Sequence, residues 1–91
     1  MIYRFKTTPA FRKALASLSP AQKESAKKAY ALFKHDPFHP RLRTHKIHHL
    51  STHYKRTIYA VRVEDDLRSI FYLDGENIVS LDIGTHTIYR S

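Results

Sequence analysis

The 91-residue chain carries 16 Lys and Arg against 8 Asp and Glu, a formal charge of +8 before any of its seven histidines protonates. One small domain with a modest core fits this length, and a large enclosed cofactor chamber does not. With no cysteine in the chain, disulfides, thiolate metal sites and cysteine nucleophiles are excluded. The charge points to polyanionic partners such as RNA, DNA or an acidic protein.

The N-terminal residues alternate as a short strand, about 2–6, and do not read as a secretion signal. No apolar run approaches the roughly 18 residues that span a bilayer, so the chain reads as cytoplasmic. Thr8-Pro9 is a helix start, with Thr as N-cap and Pro at the first helical position. Phe11, Ala14, Leu15 and Leu18 follow as one apolar stripe. Ser19-Pro20-Ala21-Gln22 repeats the start signal with a capping box. The second helix runs to about His35, buries Ala26, Ala29, Tyr30 and Phe33, and shows Lys23, Lys27, Lys28 and Lys34 on its other face. His35-Asp36-Pro37 ends it, because a residue before Pro avoids the α region.

Residues 36–53 show no clean period and read as an ordered loop with room for a short strand. Tyr54 to Val63, Leu67 to Leu73 and Ile78 to Ile83 are rich in Ile, Val, Tyr and Phe and read as strands. Glu64-Asp65-Asp66 and Asp74-Gly75-Glu76-Asn77 separate them as turns. The elements therefore run β-α-α-β-β-β. That is an α+β domain over residues 1–91, an antiparallel twisted sheet with an N-terminal helical hairpin packed on one face.

Between Pro37 and Val63 stand six cations (Arg41, Arg43, Lys46, Lys55, Arg56, Arg62), five histidines and no carboxylate. Tyr54 and Tyr59 are interleaved with them, a combination that suits phosphate contacts with bases stacked on rings. His45-x-x-His48-His49-x-x-x-His53 superficially offers metal-ligand spacing, but neighbouring cations and the lack of helical periodicity favour solvent-facing imidazoles, so no metal or cofactor is expected. His45, just before the sheet resumes, and His86, after Gly84, differ from these. Two imidazoles beside Arg and Lys are what RNA cleavage by proton transfer requires. One takes the ribose 2′-OH proton, the other protonates the departing 5′ oxygen, and cations stabilise the phosphoryl oxygens. Asp66 is positioned to raise the pKa of a neighbouring imidazolium or simply to solvate the turn. Arg62 and Arg68 flank that turn as solvated charges or as a phosphate clamp.

Taken together, His35-Asp36-Pro37, Pro40-Arg41-Leu42-Arg43-Thr44-His45-Lys46-Ile47, Leu67-Arg68-Ser69-Ile70-Phe71 and Leu81-Asp82-Ile83-Gly84-Thr85-His86 with Tyr89 resemble the RelE/ParE superfamily of bacterial toxin–antitoxin systems. The likeness extends over essentially the whole chain, and its histidine-bearing part is similar to the YafQ-like branch. The resemblance implies a small RNase-like toxin, neutralised by a cognate acidic antitoxin, that cleaves mRNA, on the ribosome in many members, to a 2′,3′-cyclic phosphate. It implies His45 and His86 as the proton-transfer pair, Asp66 as supporting carboxylate, and Arg68 on the scissile phosphate. Tyr89 would orient substrate, with Arg43, Lys46, Lys55 and Arg90 as further substrate-binding residues. Arg62 stands where that branch carries another histidine; it can stabilise phosphate charge but not act as a base. Tyr59 and Val61 occupy positions where some members carry lysines. A ParE-like gyrase inhibitor and an inactive binding module of the same fold are the competing readings.

Overall fold

The computed structural model describes residues 2–85 and Ile88. Its elements are β1 (Arg4–Thr7), α1 (Pro9–Ala16), α2 (Pro20–His35), a 3-10 turn (Pro40–Leu42), β2 (His45–Lys46), α3 (His48–Tyr54), β3 (Ile58–Glu64), β4 (Leu67–Asp74) and β5 (Asn77–Gly84). Both helix starts form as their sequences dictate. The Thr8 hydroxyl accepts from the Phe11 N–H, and Ser19 and Gln22 complete a reciprocal capping box. Among the described residues no helix is long and apolar enough to cross a membrane.

One five-stranded sheet runs in the order β1-β5-β4-β3-β2. The β3-β4-β5 meander is antiparallel, as its turns require. The expectation of a wholly antiparallel sheet is corrected, because β1 pairs parallel to β5. That pairing follows from the crossover. β1 takes the free edge of the last strand, and α1 must leave it directly over the sheet. The Thr8 N–H donates to the Ser80 carbonyl at 3.1 Å and the Thr8 hydroxyl to that of Leu81, also at 3.1 Å, fixing the exit.

The segment read as a loop with room for a short strand holds that strand, β2, but is corrected in also containing the seven-residue helix α3. Only Leu50 of α3 is buried, so no apolar period marks the helix. It is held by side-chain-to-backbone bonds, with Ser51 Oγ donating to the Ile47 carbonyl at 2.8 Å and accepting from the Ile58 N–H at 2.9 Å. Lys55, at φ +58°, closes its C-terminus in the left-handed conformation common at helix ends. The third strand consequently begins at Ile58 rather than Tyr54.

Alternation divides the sheet into two faces. Phe11, Ala26 and Phe33 of the hairpin pack on Val61, Val63, Leu67, Phe71, Ile78 and Ile83. On the opposite face Leu50 covers Ile58, Ala60 and Ile70, joined by Ile47, Tyr72, Leu81 and Ile88. The buried hydroxyl of Ser80 meets the phenol of Tyr30, whose pKa burial pushes up and this hydrogen bond partly lowers.

Candidate functional site

Arg62 and Arg68 fall on the face away from the hairpin and are direct register partners across β3 and β4. Like charges directly opposite one another destabilise a strand pair, so each guanidinium needs local relief. Arg62 Nη2 bonds Asp65 Oδ1 within the turn. Arg68 Nη1 donates to the Glu64 carbonyl at 2.6 Å and to that of Leu67 at 3.3 Å. The Asp65 side chain is 93% exposed against 34% for Arg62, and a surface pair of this kind contributes at most about 1 kcal/mol. The Arg62 guanidinium is therefore released from it at little cost.

His45 pairs with Ala60 and shares its face, which makes it the diagonal neighbour of Arg62, at a Cα separation of roughly 7–8 Å. Its Nδ1 lies 2.7 Å from the Arg43 carbonyl oxygen. A carbonyl only accepts, so Nδ1 carries the proton and the lone pair of the neutral ring sits on Nε2. Arg43, exposed and at φ +49°, thus holds the imidazole through its backbone.

The remaining sequence-derived candidates scatter. Lys46 pairs with Tyr59 on the hairpin face, opposite to His45. Tyr59 is no base-stacking platform. It stacks on Phe71 at 5.3 Å between ring centroids and meets Phe38 edge-on at 5.4 Å. Lys55 is exposed at the end of β3 remote from Arg62. Asp66 is exposed at the turn tip beside Asp65, whose carboxylate bonds Arg62. His49 and His53 do share a helix, contrary to the loop expectation, and among the described residues no three ligating side chains converge. His86, Tyr89 and Arg90 lie outside the described residues.

On the hairpin side, Arg41 joins Ser25, Lys28, Ala29 and Leu32 and the turn residues Glu64 and Asp65, with Arg62, in lining a shallow depression of about 490 Å³. One further residue lies on the face away from the hairpin. Asp82 is in register with Ile70, as Ile70 is with Ala60 and Ala60 with His45. One row on the open face therefore ends in an imidazole and a carboxylate, about 14 Å apart over three strand spacings. Burial pushes the Asp82 carboxyl above the usual range, partly offset by the Ile83 N–H, which donates to Oδ1 at 2.8 Å. A carboxylate inside the apolar run Ile78 to Ile83 is the sequence signal for it, and the bulge beside it is a device that re-aims side chains at sites.

Gly84 pairs with Arg68. A Cβ there would approach Ile88 Cγ2 to 2.8 Å, and the Ile88 N–H donates to the Thr85 carbonyl at 3.0 Å. The missing side chain leaves room for Ile88, which packs with the Leu50 cluster on the face away from the hairpin.

A helical hairpin on one face of a β1-β5-β4-β3-β2 sheet, with α3 on the other, is the RelE-like toxin fold, as the sequence resemblance implies. Over the full length of both chains the protein is similar to a chain of the archaeal RelE–RelB complex from Pyrococcus horikoshii, at 20% identity and a TM-score of 0.71. It is similar at 17% identity to YafQ from Escherichia coli, with 98% of this chain and 99% of that one covered and a TM-score of 0.71. A chain of the Escherichia coli DinJ–YafQ toxin–antitoxin complex matches over the full length of both chains at 15% identity and a TM-score of 0.72. No family model and no curated protein matches the chain.

Proposed function

We propose that the protein is the toxin of a toxin–antitoxin pair and acts as an endoribonuclease on mRNA, in the setting of the ribosome. The observation that carries this reading is the opposed pair Arg62 and Arg68 on the open sheet face with His45 diagonal to it. Two guanidiniums held face to face at a cost to the sheet form a clamp for a phosphate with two free oxygens. His45 Nε2 takes the 2′-OH proton, the 2′ oxygen attacks phosphorus, and Arg62 and Arg68 hold the charge that develops on the phosphoryl oxygens. His86, placed by sequence two residues beyond Gly84, returns a proton to the departing 5′ oxygen, leaving a 2′,3′-cyclic phosphate.

A protein partner also has a surface to meet. Between α1, α2 and the sheet runs an apolar groove of about 570 Å³ that includes Leu15, Tyr30 and Val63 and is rimmed by Arg12, Lys23 and Lys27, with no carboxylate in its lining. An acidic amphipathic helix of the antitoxin complements it in shape and sign.

The test is induced expression with 5′-end mapping of cellular mRNA, comparing wild type with His45→Ala, Arg68→Ala and His86→Ala. Cuts in translated regions that fall by about a hundredfold or more in the variants, with circular dichroism unchanged, are the expected result. Cleavage undiminished in both histidine variants overturns the proton-transfer assignment. Growth arrest with intact mRNA and gyrase-dependent DNA breaks would establish the gyrase reading instead.

A further inference from the structure

The open face carries a second basic feature at its other end, four residues along β4 from Arg68. Tyr72 pairs with Ile58 on one side and Val79 on the other, and Val79 pairs with Lys6 of β1. Tyr3 and Phe5 pack toward the hairpin, so alternation places the exposed Lys6 on the open face with Tyr72. The Arg56 guanidinium carbon lies 4.1 Å from the centroid of the Tyr72 ring, while Arg56 itself is exposed. A planar guanidinium laid on an aromatic ring keeps its outer plane and its edge donors for a ligand. The carboxylates at this end, Asp74 and Glu76, lie in or beside the β4–β5 turn past the row, and Glu76 is held by Arg4 at 3.4 Å.

We propose that Arg56, Tyr72 and Lys6 form a second nucleotide subsite for single-stranded RNA, in which a base stacks on the outer face of the Arg56 guanidinium and Lys6 meets a neighbouring phosphate. The inference rests on the ribonuclease reading and extends it along the strand. At about 3.4 Å per residue the row of Tyr72 stands roughly 14 Å from that of Arg68. A single nucleotide does not bridge this gap, so the subsite engages a base upstream or downstream of the cut rather than the scissile phosphate itself. Stacking on a flat cation is tolerant of base identity, so the subsite adds affinity and register without dictating sequence. RNA fits better than an acidic peptide, because carboxylates have no use for the stacked plane.

The experiment is fluorescence anisotropy with a labelled single-stranded hexanucleotide of 2′-O-methyl RNA, which cannot be cut. Wild type is compared with Arg56→Gln, Lys6→Gln and, as a control of equal charge change on helix α2, Lys34→Gln. All three side chains are exposed, so the folded state survives the changes. Arg56→Gln should weaken binding about tenfold. Lys6→Gln should lower the slope of log K against log salt by about 0.7, and the control should match wild type. Arg56→Gln binding like the control overturns the subsite while leaving the nuclease reading intact. No binding of the hexanucleotide by wild type overturns both. Poly-L-glutamate competing as well as the RNA shows that the patch reads charge alone and overturns the stacking assignment.

Discussion

Asp82 shows how a single side chain can be tuned by its neighbours. Its half-buried carboxyl titrates above the ordinary 3.8 because burial penalises the anion more than the Ile83 N–H favours it. The native state therefore holds this proton more tightly than the unfolded chain does. Ionisation costs stability, and the cost grows as pH climbs from the unfolded carboxylate value through the folded one, then levels off. Asp82→Asn keeps the acceptor for Ile83 and removes the charge. Thermal melts across this range should coincide at the acid end, with the variant melting higher at neutral pH. A variant that matches wild type at the acid end but melts lower at neutral pH would show that the carboxylate is stabilised by a cation instead. Alternation puts Arg68 on the face opposite Leu67, but only the strand register brings Arg62 and His45 to that same face. Asp66 is read from sequence as support for an imidazolium; the carboxylate that bonds Arg62 is that of Asp65, which sequence leaves equivalent to its neighbour and the bulge between Arg62 and Glu64 selects. Tyr59 and Lys46 were misread for a related reason: counting cations and rings along a chain says nothing about which side of the sheet each occupies.

Individual elements were legible in proportion to how local their causes are. The starts of α1 and α2 are written in four-residue cap signals, and the meander in its turns. In the second turn, Gly75 at φ +61° supplies the positive dihedral that a two-residue hairpin loop demands. Helix α3 was invisible because one buried leucine makes no period, and the parallel partner of β1 because pairing over that distance leaves no local trace. The dependence of α3 on Leu50, 1% exposed, is testable: Leu50→Ala should cost 2–5 kcal/mol, measured by denaturant unfolding. The seat of Ile88 depends on a missing atom. Gly84→Ala drives a Cβ into Ile88, so Ile88 must shift from its place against the Leu50 cluster. Cleavage should fall at least tenfold while the melting temperature drops by only a few degrees, since the fully buried residues of that cluster keep their contacts. Full cleavage by this variant would separate this position from catalysis.

For the molecule as a whole, the two faces of one sheet carry different chemistry: the paired Arg62 and Arg68 with His45 on one, and an apolar groove with a cationic rim on the other, which the proposed function assigns to RNA and to an acidic partner. Both associations are predicted to weaken steeply with ionic strength. Replacing Lys23 and Lys27 with Gln should slow association with the acidic partner and leave hexanucleotide binding unchanged; equal losses for both ligands would mean that net charge alone acts. The parallel pairing of β1 with β5 has a consequence in time. The Thr8 hydroxyl and the Leu81 carbonyl it bonds stand 73 positions apart, so this closure waits on nearly the whole length shown here. While synthesis is under way, β5 is still inside the exit tunnel or not yet made, and Asp82 and Gly84 have not taken their places beside Ile70 and Arg68. On the ribonuclease reading proposed above, a chain that folds in this order stays harmless to its own message until β5 emerges, the moment at which Ile83 also completes the lining of the apolar groove.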